Sequence, residues 1–155
     1  MTDSAYQKIM VAVDGSTTAE RALDEAIRVA RLSGAQVLAI YVVDNGQVLF
    51  DAGYYDPTQL RNAFVESGKR ALEDAAQRLK AAAVAYETRL VDEPAVVGDV
   101  AGSLNGAAEA WGADLIVLGT HGRRGVRRLV LGSVAEEVIR ESTLPVLLVR
   151  GTAPA

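Results

Sequence analysis

The segment GTHGRRGVRRLVLGSVAEE, residues 119–137, brings together four glycines (119, 122, 125 and 132) and four arginines (123, 124, 127 and 128). Glycine lets a ligand approach the backbone because no Cβ intervenes, and arginine supplies a permanent positive charge with a fork of donors. Gly132-Ser133 stands where a helical pattern begins, and Glu136 follows Ser133 at capping-box spacing. The unpaired N–H groups of such a helix start, at the positive end of its dipole, attract phosphate. Gly119-x-x-Gly122, nine further residues and then Gly132-Ser133 therefore describe a candidate phosphate cradle. A second reading stays open for each part: turn chemistry for the glycines, a helix cap for Ser133 and a solvated face for the arginines. Asp14, closing the apolar run KIMVAVD, is a further candidate, since its carboxylate suits either the Gly15-Ser16 turn or a sugar hydroxyl. His121 is the single histidine, and no nucleophile elbow accompanies it, which sets aside Ser-His-Asp chemistry. No GxxxxGK[ST] loop occurs, and no GxGxxG follows the first apolar run, so the commonest nucleotide fingerprints are missing.

Such residues need a frame that collects them at one end of a sheet. Residues 8–14 and 36–43 read as buried strands, rich in β-branched residues and too uniformly apolar to be half exposed. Between them, Ala19, Leu23, Ala26, Ile27 and Ala30 recur at helical spacing, with Thr17 and Glu20 suited to a capping box and Gly34 to the stop. Residues 44–57 read as a surface excursion with three aromatic side chains, Phe50, Tyr54 and Tyr55. A second helix is expected from about 58 to 83, with Leu60, Phe64, Ala71, Leu72, Ala75 and Leu79 facing inward. A third strand follows over 86–91, and then a helix capped by Asp99 and running to Trp111. Gly102 and Gly106 weaken that helix or allow it to lie close to the sheet. Residues 114–118, a helix over 133–142 and a strand over 145–150 complete the pattern. Strands alternating with helices predict an α/β fold with an open, mostly parallel five-stranded sheet. In such sheets ligands sit at the carboxyl ends of the strands, where successive connections diverge to opposite faces.

Composition limits the function classes. The 155 residues are half hydrophobic, which predicts one domain, 1–155, with an ordered core over about 7–150. The apolar runs are strand-length, far short of the roughly twenty residues that span a bilayer, so no membrane association is expected. A polar start without a signal-type core predicts a cytoplasmic protein. Absence of cysteine removes disulfides, thiolate catalysis and thiolate metal sites. With a net charge of −4 the whole molecule repels a nucleic-acid backbone, so no nucleic acid partner is expected and the arginine cluster is a local feature.

With these residues in place, the chain resembles the universal stress protein family, in its ATP-binding branch. G-x-x-G-x(9)-G-[ST] is the pattern of that branch, and the likeness runs from KIMVAVDGS through GADLIVLGTHG and LGSVAEEVIRES to LPVLLVR. It departs at Val13, at Val100 where proline is common, and at Gly102 and Gly106. The resemblance implies a Rossmann-like sheet of order 3-2-1-4-5 with helices on both faces. It implies an ATP site in which Asp14 and Gly119 hold the ribose and Val42 contacts adenine. Gly122, Gly132, Ser133 and the backbone N–H of Val134 would hold phosphates. It further implies a homodimer formed through the last strand, Val146–Val149, and a nucleotide-dependent role in stress response or regulation. Two alternatives stand beside it. One is slow ATP hydrolysis, with Arg123 or Arg124 and Mg2+ balancing phosphate charge. The other is a nucleotide-free chaperone or scaffold docking through the 44–57 excursion.

Overall fold

The computed structural model describes residues 5–44, 56–92, 99–121 and 131–151. In chain order these form β1 (Lys8–Ala12), α1 (Thr17–Ser33), β2 (Gln36–Val42), α2 (Pro57–Ala81), β3 (Tyr86–Val91), α3 (Val100–Trp111), β4 (Leu115–Gly119), α4 (Ser133–Glu141) and β5 (Val146–Val149). The five strands make one sheet of order β3-β2-β1-β4-β5, with every neighbouring pair parallel. The expected α/β architecture and its strand order are both present.

Strand periodicity divides the core in two. Ile9 and Val11, Val37 and Ala39, and Leu115 and Val117 point to one face, where Leu23, Ala26, Leu72 and Leu79 of α1 and α2 cover them. Met10, Leu38, Ile40, Ile116 and Leu118 point to the other, under Leu104, Ala108 and Val138 of α3 and α4. Burial on both faces explains why β1, β2 and β4 read as continuous apolar runs rather than alternating ones, whereas the edge strand β3 keeps Tyr86, Glu87 and Thr88 exposed. The connections from β1 and β2 thus pass over one face and those from β3 and β4 over the other. The change of face falls between β1 and β4, which opens a crevice at their carboxyl ends.

Local chemistry sets the element ends and shifts several from the sequence reading. Ser16, in an extended conformation, caps α1 by accepting the Ala19 N–H (3.1 Å), so the cap is Ser16 and not Thr17. Asp56 caps α2 and Pro57 takes its first position, where the missing N–H costs nothing. Strand β4 starts at Leu115 because the Asp114 carboxylate accepts the N–H groups of Gln7 (2.9 Å) and Lys8 (3.1 Å). At the amino ends of the strands, Lys8 Nζ donates to the Trp111 carbonyl (3.0 Å) and lies 5.0 Å from the Trp111 ring centroid. The Trp111 indole N–H donates to Glu87 Oε2 (2.9 Å), which fastens α3 to β3.

Neither glycine of α3 serves a close approach to the sheet. A Cβ on Gly102 would strike the Asp99 carboxylate that caps the helix, and one on Gly106, which is exposed, would meet nothing within 4 Å. Gly106→Ala should therefore stabilise the protein by about 0.5–1 kcal/mol through the entropy of the unfolded chain. A rise in the urea midpoint at unchanged slope is the expected result, and a fall would place an unseen neighbour against that surface.

Candidate functional site

The crevice is built by three chain segments. The first leaves β1. Val13 still pairs with β2, its N–H donating to the Ile40 carbonyl (2.9 Å), and the chain then turns through Asp14 and Gly15. Gly15 adopts φ 82°, a left-handed conformation that a side chain disfavours. Asp14, half-buried, accepts the Ser16 N–H on Oδ1 (2.9 Å), and its second oxygen has no partner among the described residues. The turn reading of Asp14 is therefore realised, with one carboxylate oxygen still open to a ligand.

The second segment leaves β4. Gly119 is the last residue of that strand and packs against the first turn of α1. A Cβ built on Gly119 would lie 2.6 Å from Thr18 Cγ2 and 3.3 Å from the Thr18 carbonyl carbon. Glycine is required here by packing against α1, which leaves the Gly119 main chain, rather than the space of its missing Cβ, to face a ligand. Thr120 follows. Its N–H donates to the Val149 carbonyl (3.0 Å), and its hydroxyl lies 3.1 Å from His121 Nδ1.

The third segment is the start of α4. Gly132 is its N-cap, with no side-chain hydrogen bond, and Ser133 is the first helical residue. The expected capping box of Ser133 and Glu136 is therefore not formed; the Glu136 N–H instead donates to the Gly132 carbonyl in the first helical turn (3.0 Å). The Gly132 N–H donates to the Thr120 carbonyl (2.7 Å), which ties the helix start to the end of β4. A Cβ on Gly132 would lie 2.9 Å from that carbonyl oxygen, so any side chain must tilt the helix away. The N–H groups of Ser133 and Val134 lie in the first turn, where an α-helix offers no acceptor. The result is a helix start with no side-chain cap among the described residues, held against a strand end by a glycine, with the positive end of its dipole at the crevice.

The structure thus groups Gly119, Thr120, Gly132, Ser133 and Val134 on one wall and places Asp14 on the neighbouring strand's exit. Val42, half-buried at the end of β2, lies beyond β1 and packs with the α3–α4 core. Gly122, the four arginines and the aromatic trio Phe50, Tyr54 and Tyr55 lie outside the described residues. Sequence reasoning missed Thr18 and the Thr120 carbonyl. The motif spelling contains no signal for Thr18, while Thr120 sits unremarked inside the glycine pattern.

A separate cleft of about 370 Å³ opens on the other face, between α1 and α2. Its floor includes Val13, Leu23 and Ala75, and its rim carries Arg78, which reaches Glu20 (3.5 Å) and Asp24 (3.2 Å). It contains none of the expected ligand residues, and its arginine is already engaged. Among the described residues no cluster of three metal-ligating side chains occurs, and no helix is long and apolar enough to cross a membrane.

Known proteins share this fold. The profile of the Universal stress protein family matches residues 5–150. A protein of that family from Burkholderia pseudomallei is 41% identical in its crystal structure, with TM-score 0.75 over 95% of this chain and 98% of that one. A universal stress protein crystallised in complex with cAMP is 32% identical, with TM-score 0.65 over 96% of this chain and 100% of that one. The universal stress protein of Archaeoglobus fulgidus, solved in complex with dAMP, is 26% identical, with TM-score 0.66 over 93% and 98% of the two chains.

Proposed function

The chain belongs to the universal stress protein family, and on that premise we propose that its β1–β4 crevice binds ATP and that nucleotide occupancy regulates its interactions in the stress response. The observation that carries the reading is the start of α4. It has no side-chain cap among the described residues, and it is fixed to β4 through Gly132 N–H and the Thr120 carbonyl at 2.7 Å. Relatives solved in complex with cAMP and with dAMP support an adenine nucleotide as the ligand class.

In this reading Ser133 and the N–H of Val134 take phosphate oxygens, with Gly122 completing the cradle. Asp14, through its open oxygen, and the main chain of Gly119 take ribose hydroxyls, and Val42 contacts adenine. A triphosphate brings Mg2+ with it, coordinated by its own oxygens. Copies pair through β5, whose outer edge has no neighbouring strand among the described residues and whose Val146, Leu147 and Leu148 are only half-buried.

Ser133 separates binding from folding. Because its hydroxyl caps nothing, Ser133→Ala should leave the unfolding midpoint unchanged while weakening ATP about tenfold, the loss of one hydrogen bond to a charged group. Calorimetric titration of both forms with ATP, AMP and cAMP checks this. Equal ATP affinity in the two forms would remove Ser133 from the site, and no heat from any nucleotide with the natural chain would overturn the reading.

A further inference from the structure

The carboxyl end of β5 touches both walls of the crevice. On the β4 wall, the Val149 carbonyl accepts the Thr120 N–H (3.0 Å), and the Thr120 carbonyl accepts the N–H of Gly132 (2.7 Å). On the α1 wall, Arg21 Nε donates to the Arg150 carbonyl (2.9 Å). The next residue, Gly151, lies so close to α1 that a Cβ there would stand 2.9 Å from Thr18 Oγ1. The other branch of the same threonine, Cγ2, occupies the place of a Gly119 Cβ, 2.6 Å away. Thr18 is thus wedged between the residue after β5 and the residue that ends β4, with one branch against each. A β-branched side chain in a helix has few alternative rotamers, and a close-packed contact passes displacement on rather than absorbing it.

Resting on the nucleotide reading above, we infer that Thr18 and Gly151 are positioning residues for the ligand, and that the end of the edge strand β5 is a working part of the site. Pressure on Oγ1 of Thr18 from the C-terminal side drives its methyl group into Gly119, and Gly119 moves in the crevice. Whatever shifts the end of β5 then changes nucleotide affinity without touching the nucleotide.

The test is a double-mutant cycle in the full chain, read by ATP titration. Gly151→Val is expected to weaken ATP about tenfold, Thr18→Ala about threefold, and the double variant no more than Thr18→Ala alone, because the transmitting side chain is gone. Glu87→Ala serves as the control, since it loosens α3 from β3 at the opposite end of the strands and should leave affinity unchanged. Wild-type affinity in Gly151→Val, additive losses in the double variant, or an equal loss in Glu87→Ala would each overturn the inference. If the natural chain itself takes up no ATP, the nucleotide reading has failed, and amide exchange of Gly119 and Thr120 decides the wedge separately. Faster exchange in Gly151→Val, reversed by Thr18→Ala, supports the wedge; unchanged exchange overturns it.

Discussion

Gly132→Trp should abolish nucleotide binding, weakening ATP at least about a hundredfold while costing about 1–3 kcal/mol of stability. Two effects act together. Any Cβ at this position lies 2.9 Å from the Thr120 carbonyl oxygen and 3.5 Å from His121 Cα, so the start of α4 must tilt away from β4. The indole then fills the space in front of the Ser133 and Val134 N–H groups. Circular dichroism and thermal unfolding establish that the variant is folded, and titration reads the loss. ATP affinity within tenfold of the natural chain in a folded variant would show that the helix start is not where phosphate sits.

The second large effect concerns Gly119. Gly119→Ala should cost about 1–3 kcal/mol in stability, because the new methyl overlaps Thr18 Cγ2. It should also weaken ATP by about tenfold or more, since the first turn of α1 is displaced from the crevice wall. Thr18→Ala in the same chain removes the obstructing methyl, and most of both losses should be recovered together, the Thr18 Cβ and carbonyl carbon at 3.3 Å leaving a small remainder. Urea unfolding and ATP titration on the four forms provide the cycle. Recovery of stability without recovery of affinity would show that the Cβ at position 119 blocks the ligand itself, and would move the ribose to the other side of that residue.

The sheet was legible in the sequence because two-sided burial makes most of β2 (Gln36–Val42) apolar, and because helical spacing is clear in α1 and α2. The ends were less legible, for local reasons. Ser16, Thr17 and Thr18 each carry a hydroxyl, and only the extended backbone at Ser16 decides which one caps α1. The same ambiguity made Ser133 read as a cap, whereas Gly132 holds that position and frees the serine. Asp114 read as strand, yet its carboxylate serves the backbone of Gln7 and Lys8.

The candidate site was legible as spacing but not as packing. Glycine at 119 and at 132 was expected for a ligand's sake, and the structure supplies a further requirement at each: the Thr18 side chain at one and the Thr120 carbonyl at the other. The contact of Thr18 with Gly119 joins residues far apart in the chain, which no local pattern encodes. Gly106 makes the converse point: a glycine suggestive of close approach stands in open space. A glycine motif therefore reports close backbone contacts, and only the fold says whether the neighbour is a ligand or another part of the chain.

Occupancy of the crevice by an adenine nucleotide can be measured directly. Its most direct test is to purify the natural chain and Gly132→Trp without added nucleotide, denature both, and quantify released nucleotides by chromatography. Adenine nucleotide in near-equal proportion to the natural chain, and none from the variant, is the expected result. No nucleotide from either, followed by no heat on titrating the natural chain with millimolar ATP, would contradict it.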